Sequence, residues 1–209
     1  MFKGLDQGEK KMNDVLTFIK SRRSTRKFLK KEIEEELLEQ IIEAGRYAPS
    51  GGNSQSCQFL VISNEKVLNE LIELVQTEFA KMEPSPGVFK SIINSIALSK
   101  KGIYKFDYEA PVLIVVANDR NYGNNMADSA CALENMMLMA NALDLGSCWI
   151  NQLRWLNDNE NILTFLNKLG MDNEKTVYGA LALGYPDSED GLPEREPLKR
   201  FGNEVTYIK

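Results

Sequence analysis

Apolar positions along this chain change their period several times, and each change marks an element. Val15, Leu16, Phe18 and Ile19 form the buried side of a short helical pattern after Asn13, a residue able to cap it. A second helix is expected from about Glu32. Ile33, Leu37, Leu38, Ile41 and Ile42 share one face, and Glu32, Glu34, Glu35 and Glu36 suit the positive end of its dipole. Pro49 is a stop for helical structure. The run "QFLVIS" (58–63) is short, apolar and β-branched, and reads as a strand. Helical patterns resume with Val67, Leu68, Leu71, Ile72 and Val75, then with Val88, Ile92, Ile93 and Ile96. The turn-rich "MEPSPG" (82–87) separates them. "PVLIVVAND" (111–119) is apolar at both alternating sets of positions, so it belongs in the middle of a sheet covered on both faces.

The stretch "MADSACALENMMLMANAL" (126–143) is apolar nearly all round. Asp128 and Glu134 interrupt it, and it is short for a bilayer span, so it reads as a helix buried in a globular core. Its methionines at 136, 137 and 139 fill irregular apolar space. "SCWI" and "VYGALALG" read as two more strands. Between them lies a helix around Ile162, Leu163, Leu166 and Leu169, closed by Gly170. The tail is polar and turn-rich, then ends in the strand-like "EVTYI". There is no internal repeat. Helices come first and strands then interleave with helices, which predicts an α+β or mixed α/β layered fold.

Composition narrows the function. The chain has 209 residues, enough for one sizeable core; residues 1–11 are expected to be a flexible N-terminal extension and 12–209 a single domain. A net charge of -5 argues against a nucleic-acid or membrane-surface partner, because phosphate-rich surfaces need a surplus of Lys and Arg. No apolar run approaches a membrane span, and the N-terminus lacks the apolar centre of a signal peptide. Cys57, Cys131 and Cys148 are odd in number and far apart, which suits a reducing, cytoplasmic setting. There is no histidine and no Cys-x-x-Cys pair. That excludes histidine-based nucleophile systems and His-rich metal sites, and leaves a bound cofactor or carboxylates to carry any chemistry.

Two motifs stand out. "SRRSTRKF" (21–28) sets Arg22, Arg23 and Arg26 beside Ser24 and Thr25. It is either a solvated basic surface or a site for a small anion, since guanidinium forks match a phosphate or carboxylate. "APSGGNSQ" (48–55) is either a tight turn into the strand at 58 or a loop whose glycines let backbone approach a planar ligand, with Asn53 and Gln55 supplying amides. It is neither a dinucleotide fingerprint nor a Walker loop.

In this order and spacing the two motifs are more specific than either alone. With "MADSACALENMMLMANALDLGSCWI", "GALALGYP" and "REPL", the chain from about residue 14 to its end resembles the nitroreductase-like flavoproteins, which bind FMN. The resemblance implies a three-layer sandwich with a mainly antiparallel central sheet, and a C-terminal strand that can be exchanged with a partner subunit. It implies that Arg22, Arg23, Ser24 and Arg26 meet the phosphate, the ribityl chain and the pyrimidine edge of FMN. Pro49, Ser50, Gly51 and Asn53, with Gln55 close by, match a loop that reaches the ring from the partner subunit. Cys148, Trp149, Ile150, Asn151 and Gln152 match the segment along the other ring face, whose backbone faces flavin N5; Trp149 suits packing and ring contact equally. Arg195 matches a second phosphate-binding arginine, with Lys199 and Arg200 nearby. The implied protein is a homodimer that oxidises NAD(P)H and reduces a small-molecule electron acceptor such as a nitroaromatic or quinone, by a ping-pong mechanism. FMN carries the chemistry, so no catalytic side chain and no metal is required. A specialised flavin enzyme (dehalogenation, flavin fragmentation or ring dehydrogenation) and a flavin store or sensor with little turnover are the alternatives.

Overall fold

A computed structural model describes residues 8–209. Its centre is a four-stranded, wholly antiparallel sheet in the order β1-β2-β4-β3, with β1 at Gln58–Ile62, β2 at Val112–Asp119, β3 at Gly146–Ile150 and β4 at Lys175–Gly184. β2 is central and apolar at both alternating sets because each set meets a different core. Leu113, Val115 and Ala117 enter one, and Val112, Ile114 and Val116 enter the other. The expectation for "PVLIVVAND" is thus met.

Helices cover both faces. On one lie α2 (Glu35–Arg46) and α5 (Asn125–Ala142), which supply Ile41, Leu133, Met136, Met137 and Ala140. On the other lie α3 (Glu65–Ala80), α4 (Lys90–Lys100), the short α6 (Gln152–Trp155) and α7 (Glu160–Lys168). This is the expected three-layer α+β sandwich, and the methionines of α5 are core.

Several boundaries differ from expectation. α1 runs Gly8–Ser21, so it starts upstream of Asn13 and takes in residues 8–11 of the expected extension; residues 1–7 lie outside the described residues. α2 begins at Glu35, not Glu32. Glu34 is extended (ψ 138) and its carboxylate is engaged by the Tyr185 hydroxyl, which holds the residue outside the helix. α4 begins after Val88. No strand forms at "EVTYI": residues 193–209 have no regular structure, and Phe201, Val205, Tyr207 and Ile208 are between 69% and 96% exposed. A strand needs a hydrogen-bonded neighbour, and the single chain offers none there.

Candidate functional site

The arginine motif is built onto the edge of the sheet. After α1 the chain runs beside β3: Ser24 bridges Ser147, and the Thr25 amide donates to the Ser147 carbonyl at 2.9 Å. Gly146 permits this approach, because a Cβ there would sit 2.6 Å from the Thr25 side chain. The segment then pairs along 185–187, through Leu29 to Tyr185 and Asp187 to Lys27.

Each of three arginines around this edge already has a carboxylate. Arg22 faces Glu134 at 3.9 Å, Arg23 bonds Glu194 at 2.8 Å, and Arg195 bonds Asp144 at 2.5 Å. Arg23 also donates to the Glu196 carbonyl, and Arg195 to the Asn141 carbonyl, while Asn141 donates to Ser21. Arg195, far off in sequence, is therefore brought to the end of α1 where the motif starts. These carboxylates are exposed, and exposed pairs contribute only about 0–1 kcal/mol. A dianionic phosphate can exchange into such guanidinium forks at little cost, so the donor set fits an anion of that kind. Arg26 differs: among the described residues it pairs with no carboxylate, and its guanidinium lies 5.8 Å from the Tyr108 ring centroid.

β3 leads from this edge into the core. Cys148 and Ile150 are buried on one face, so neither side chain is free for a ligand, and Trp149 packs toward α5 on the other. Burial pushes the Cys148 thiol up, against the pull of Arg26, Ser24 and Arg22. The Trp149 indole donates to Asn151 at 3.0 Å, which favours the packing role. At the next turn, Gln152 and Arg26 line one cavity of about 460 Å³, walled by α4 and residues 103–109. The arginine motif, Asn151–Gln152 and Arg195 thus gather on one side of a single chain.

The 48–55 loop lies elsewhere. Its single 3-10 turn (Gly51–Asn53) rests on the first turn of α5. The Gly51 amide and the Ser54 hydroxyl donate to the Asp128 carboxylate, and the Tyr122 hydroxyl donates to the Gly51 carbonyl at 2.9 Å. Gly51 has no room for a side chain, since a Cβ would come within 2.1 Å of Asn124. Gly52, Asn53 and Gln55 all have positive φ, and the Gln55 amide donates to Ser50. Pro49, Asn53 and Gln55 are exposed. Among the described residues, no hydrogen bond or ion pair joins this loop to residues 22–26. One chain therefore carries two separated halves of the predicted site.

Asp128 and Tyr122, which hold the loop, and Tyr104, which lines the cavity with Arg26 and Gln152, escape motif reading. Asp128 had a signal: a charge near the start of a helix apolar all round requires a partner. Tyr104 had none, because Gln152, which donates to its hydroxyl, stands 48 positions away.

A model of the nitroreductase family matches residues 19–185. A crystal structure of a nitroreductase with bound FMN from Bacteroides fragilis aligns with a TM-score of 0.81 at 36% identity, covering 94% of this chain and 100% of that one. A provisionally named NADH dehydrogenase/NAD(P)H nitroreductase of Archaeoglobus fulgidus is 27% identical over 185 residues, 88% of this chain and 92% of that protein. An iodotyrosine deiodinase of Hydra vulgaris is 27% identical over 214 residues, 92% of this chain and 73% of that protein.

Proposed function

This chain belongs to the nitroreductase family, and from that premise we propose an FMN-dependent oxidoreductase that takes a hydride from NAD(P)H. It passes two electrons to a nitroaromatic, a quinone or a similar small acceptor, in alternating half-reactions. The observation that carries the reading is the docking of the arginine segment on β3, which puts Arg26 and Gln152 around one cavity.

Arg22, Arg23, Ser24 and Arg195 gather at the end of α1, and we assign them to the phosphate. Arg26 lines the cavity with Gln152, and we assign it to the ring's pyrimidine edge. Bound FMN supplies the hydride chemistry through its own ring. The chain's residues bind and orient it, and fixed positive charge from Arg26 stabilises negative charge at the edge it faces. Among the chain's own acids, the Cys148 thiol and the Tyr104 hydroxyl are both pushed up by burial. Burial makes both weaker acids than usual, and we assign proton delivery to solvent.

We further infer a homodimer in which the 48–55 loop of one subunit completes the site of the other. The two halves rest on different parts of α5, and apolar surface is left uncovered in two places. Val15, Leu16 and Ile19, expected on the buried side of their helix, are instead exposed on α1, and Phe201, Val205, Tyr207 and Ile208 are exposed on the tail. A second copy supplies both the missing half-site and the cover for these residues.

The test is the absorption spectrum of the purified protein, then FMN titration and anaerobic mixing with NADH and NADPH. A yellow protein of twice the 23.6 kDa chain mass, bleached by a nicotinamide and reoxidised by a quinone, is expected. A protein that stays colourless with added FMN overturns the reading. The similarity to a deiodinase favours a second one, reductive dehalogenation. Bleached protein that releases halide from a halogenated phenol, yet leaves quinones untouched, would establish it.

A further inference from the structure

A chain of buried and half-buried polar groups connects α4 to the turn after β3, and its donors and acceptors fit one order. The Ser95 hydroxyl donates its one proton to the Ser91 carbonyl at 2.9 Å. In its 2.6 Å contact with Tyr104, Ser95 must therefore accept, and the Tyr104 hydroxyl donates. The Tyr104 oxygen in turn accepts from the Gln152 Nε2 at 2.6 Å. At the other end of that carboxamide, Gln152 Oε1 accepts from the Asn151 amide at 3.1 Å. The order runs one way, from the Asn151 N–H through Gln152, Tyr104 and Ser95 to the backbone of α4. Tyr104 is anchored as well, because its own amide donates to Gln76 of α3 at 2.8 Å. Its side chain packs edge-on against Phe79, with ring centroids 5.9 Å apart.

A tyrosine hydroxyl held between one donor and one acceptor has a single orientation, and so does the carboxamide bonded to it. Tyr104 and Ser95 also border the cavity that Arg26 and Gln152 line. Whatever fills that cavity touches the same groups that hold the Asn151–Gln152 turn. We propose that Tyr104 is a positioning residue: by locking the Gln152 carboxamide onto the Asn151 amide, it preorganises the turn for the cofactor and ties it to α4. The part concerning the cofactor rests on the FMN reading above. The lock between Tyr104, Gln152 and Asn151 does not.

The test compares Tyr104→Phe, Ser95→Ala and Ile103→Ala. Ile103 lines the same cavity but stands outside the hydrogen-bond chain and is largely exposed. In FMN-free protein, amide hydrogen exchange at Asn151 reads the lock directly. Tyr104→Phe should speed it about two- to tenfold, the range that one hydrogen bond commands, with a smaller change in Ser95→Ala and none in Ile103→Ala. FMN titration should rank Tyr104→Phe above Ser95→Ala, with the dissociation constant about two- to tenfold higher in Tyr104→Phe, because the turn must then be ordered on binding; Ile103→Ala serves as the control for exchange alone. Should Tyr104→Phe fold poorly, Ser95→Ala keeps the tyrosine and its packing and must still show the graded effect. Exchange at Asn151 that is equal in all three variants overturns the proposal. Altered exchange with unaltered FMN affinity overturns the cofactor part and leaves the lock. A wild-type protein that binds no FMN, yet shows the exchange pattern, sinks the FMN reading alone.

Discussion

The 22–26 segment and the 48–55 loop both rest on α5, but they are held there by opposite means. The segment is fixed through backbone pairing with β3, while Arg22 and Arg23 rest on exposed carboxylates at Glu134 and Glu194, as Arg195 beside them rests on Asp144. The loop is fixed by one buried carboxylate, Asp128, which is 5% exposed and accepts from Gly51 and Ser54. From Asp128 to Glu134 the helix climbs about 9 Å, at about 1.5 Å per residue, and turns the two side chains to different faces. The difference is between charges held ready for exchange and a charge that is spoken for. Exposed pairs contribute little and release their arginines readily. A buried carboxylate that satisfies backbone cannot be withdrawn without leaving donors unpaired. The first arrangement suits ligand capture and the second suits holding a loop in shape.

The comparison breaks most visibly at the arginines. Arg22→Ala and Arg195→Ala should each weaken FMN binding about tenfold to a hundredfold, since a charge-assisted bond to phosphate contributes about 1.5–3 kcal/mol. Arg22→Ala should leave the thermal stability of FMN-free protein within about 1 kcal/mol of wild type, because only its ion pair with Glu134 is lost, while Arg195→Ala also gives up its bond to the Asn141 carbonyl and should cost about 0.5–1.5 kcal/mol more. Equal FMN titration curves for both variants and wild type would remove the phosphate assignment.

The loop should respond the other way round. Asp128→Ala leaves the Gly51 amide without its side-chain acceptor, at a cost of about 1–3 kcal/mol in stability, whereas the exposed Ser54 hydroxyl keeps Ser56. Its effect on FMN should be smaller than that of the arginines, about three- to tenfold, arising from a loop that must be reordered on binding. Asp128→Asn keeps a carbonyl acceptor and should recover most of both losses. Denaturant melts and FMN titrations of the pair decide it. An Asp128→Ala protein as stable as wild type would show that the loop is held by something else.

Those two motifs were legible as residue types and order, because guanidinium clusters and glycine-rich turns announce a requirement locally. What they rest on was half legible. Asp128 and Glu134 are the two charges that interrupt an otherwise apolar helix, and each proves to meet one motif: Asp128 the loop, Glu134 Arg22. Their presence in the helix is visible in the sequence, but their partners are not, since Gly51 and Asp128 stand 77 positions apart. β2 was legible in full, because a strand buried on both faces has a pattern no surface element shares. The tail was misleading for a physical reason. "EVTYI" alternates as a strand does, yet alternation states only what the segment would present to a neighbour. In one chain it finds none, which is why the same five residues now argue for a second subunit. The Tyr104–Gln152 contact left no trace at all, since it joins side chains 48 positions apart across the cavity.

The smallest effect concerns pH, which the comparison predicts to act through neither half. Asp107 lines a different cavity, between the starts of α2 and α3, and is 1% exposed. One of its oxygens accepts from the Glu109 amide at 3.1 Å, and the other has no partner among the described residues. Burial pushes its carboxyl up, with Lys30 and two backbone bonds opposing. The folded chain therefore keeps this proton at pH values where the unfolded chain has already released it. The resulting stability is fully present below the unfolded value and is lost as pH rises through the folded one. Asp107→Asn removes the titration and keeps an acceptor for Glu109. It should be more stable than wild type at pH 8 by about 1 kcal/mol, the lower end of what an unsatisfied buried group costs. The gap should close as pH falls toward the carboxylate range, while FMN affinity is the same in both proteins at every pH. Denaturant melts at pH 5 and pH 8 measure the first, and FMN titrations at the same two values the second. A stability gap that is constant with pH would mean that Asp107 is ionised throughout. A pH-dependent FMN affinity that disappears in Asp107→Asn would tie this carboxyl to the arginine half, and the independence of the two regions would fail.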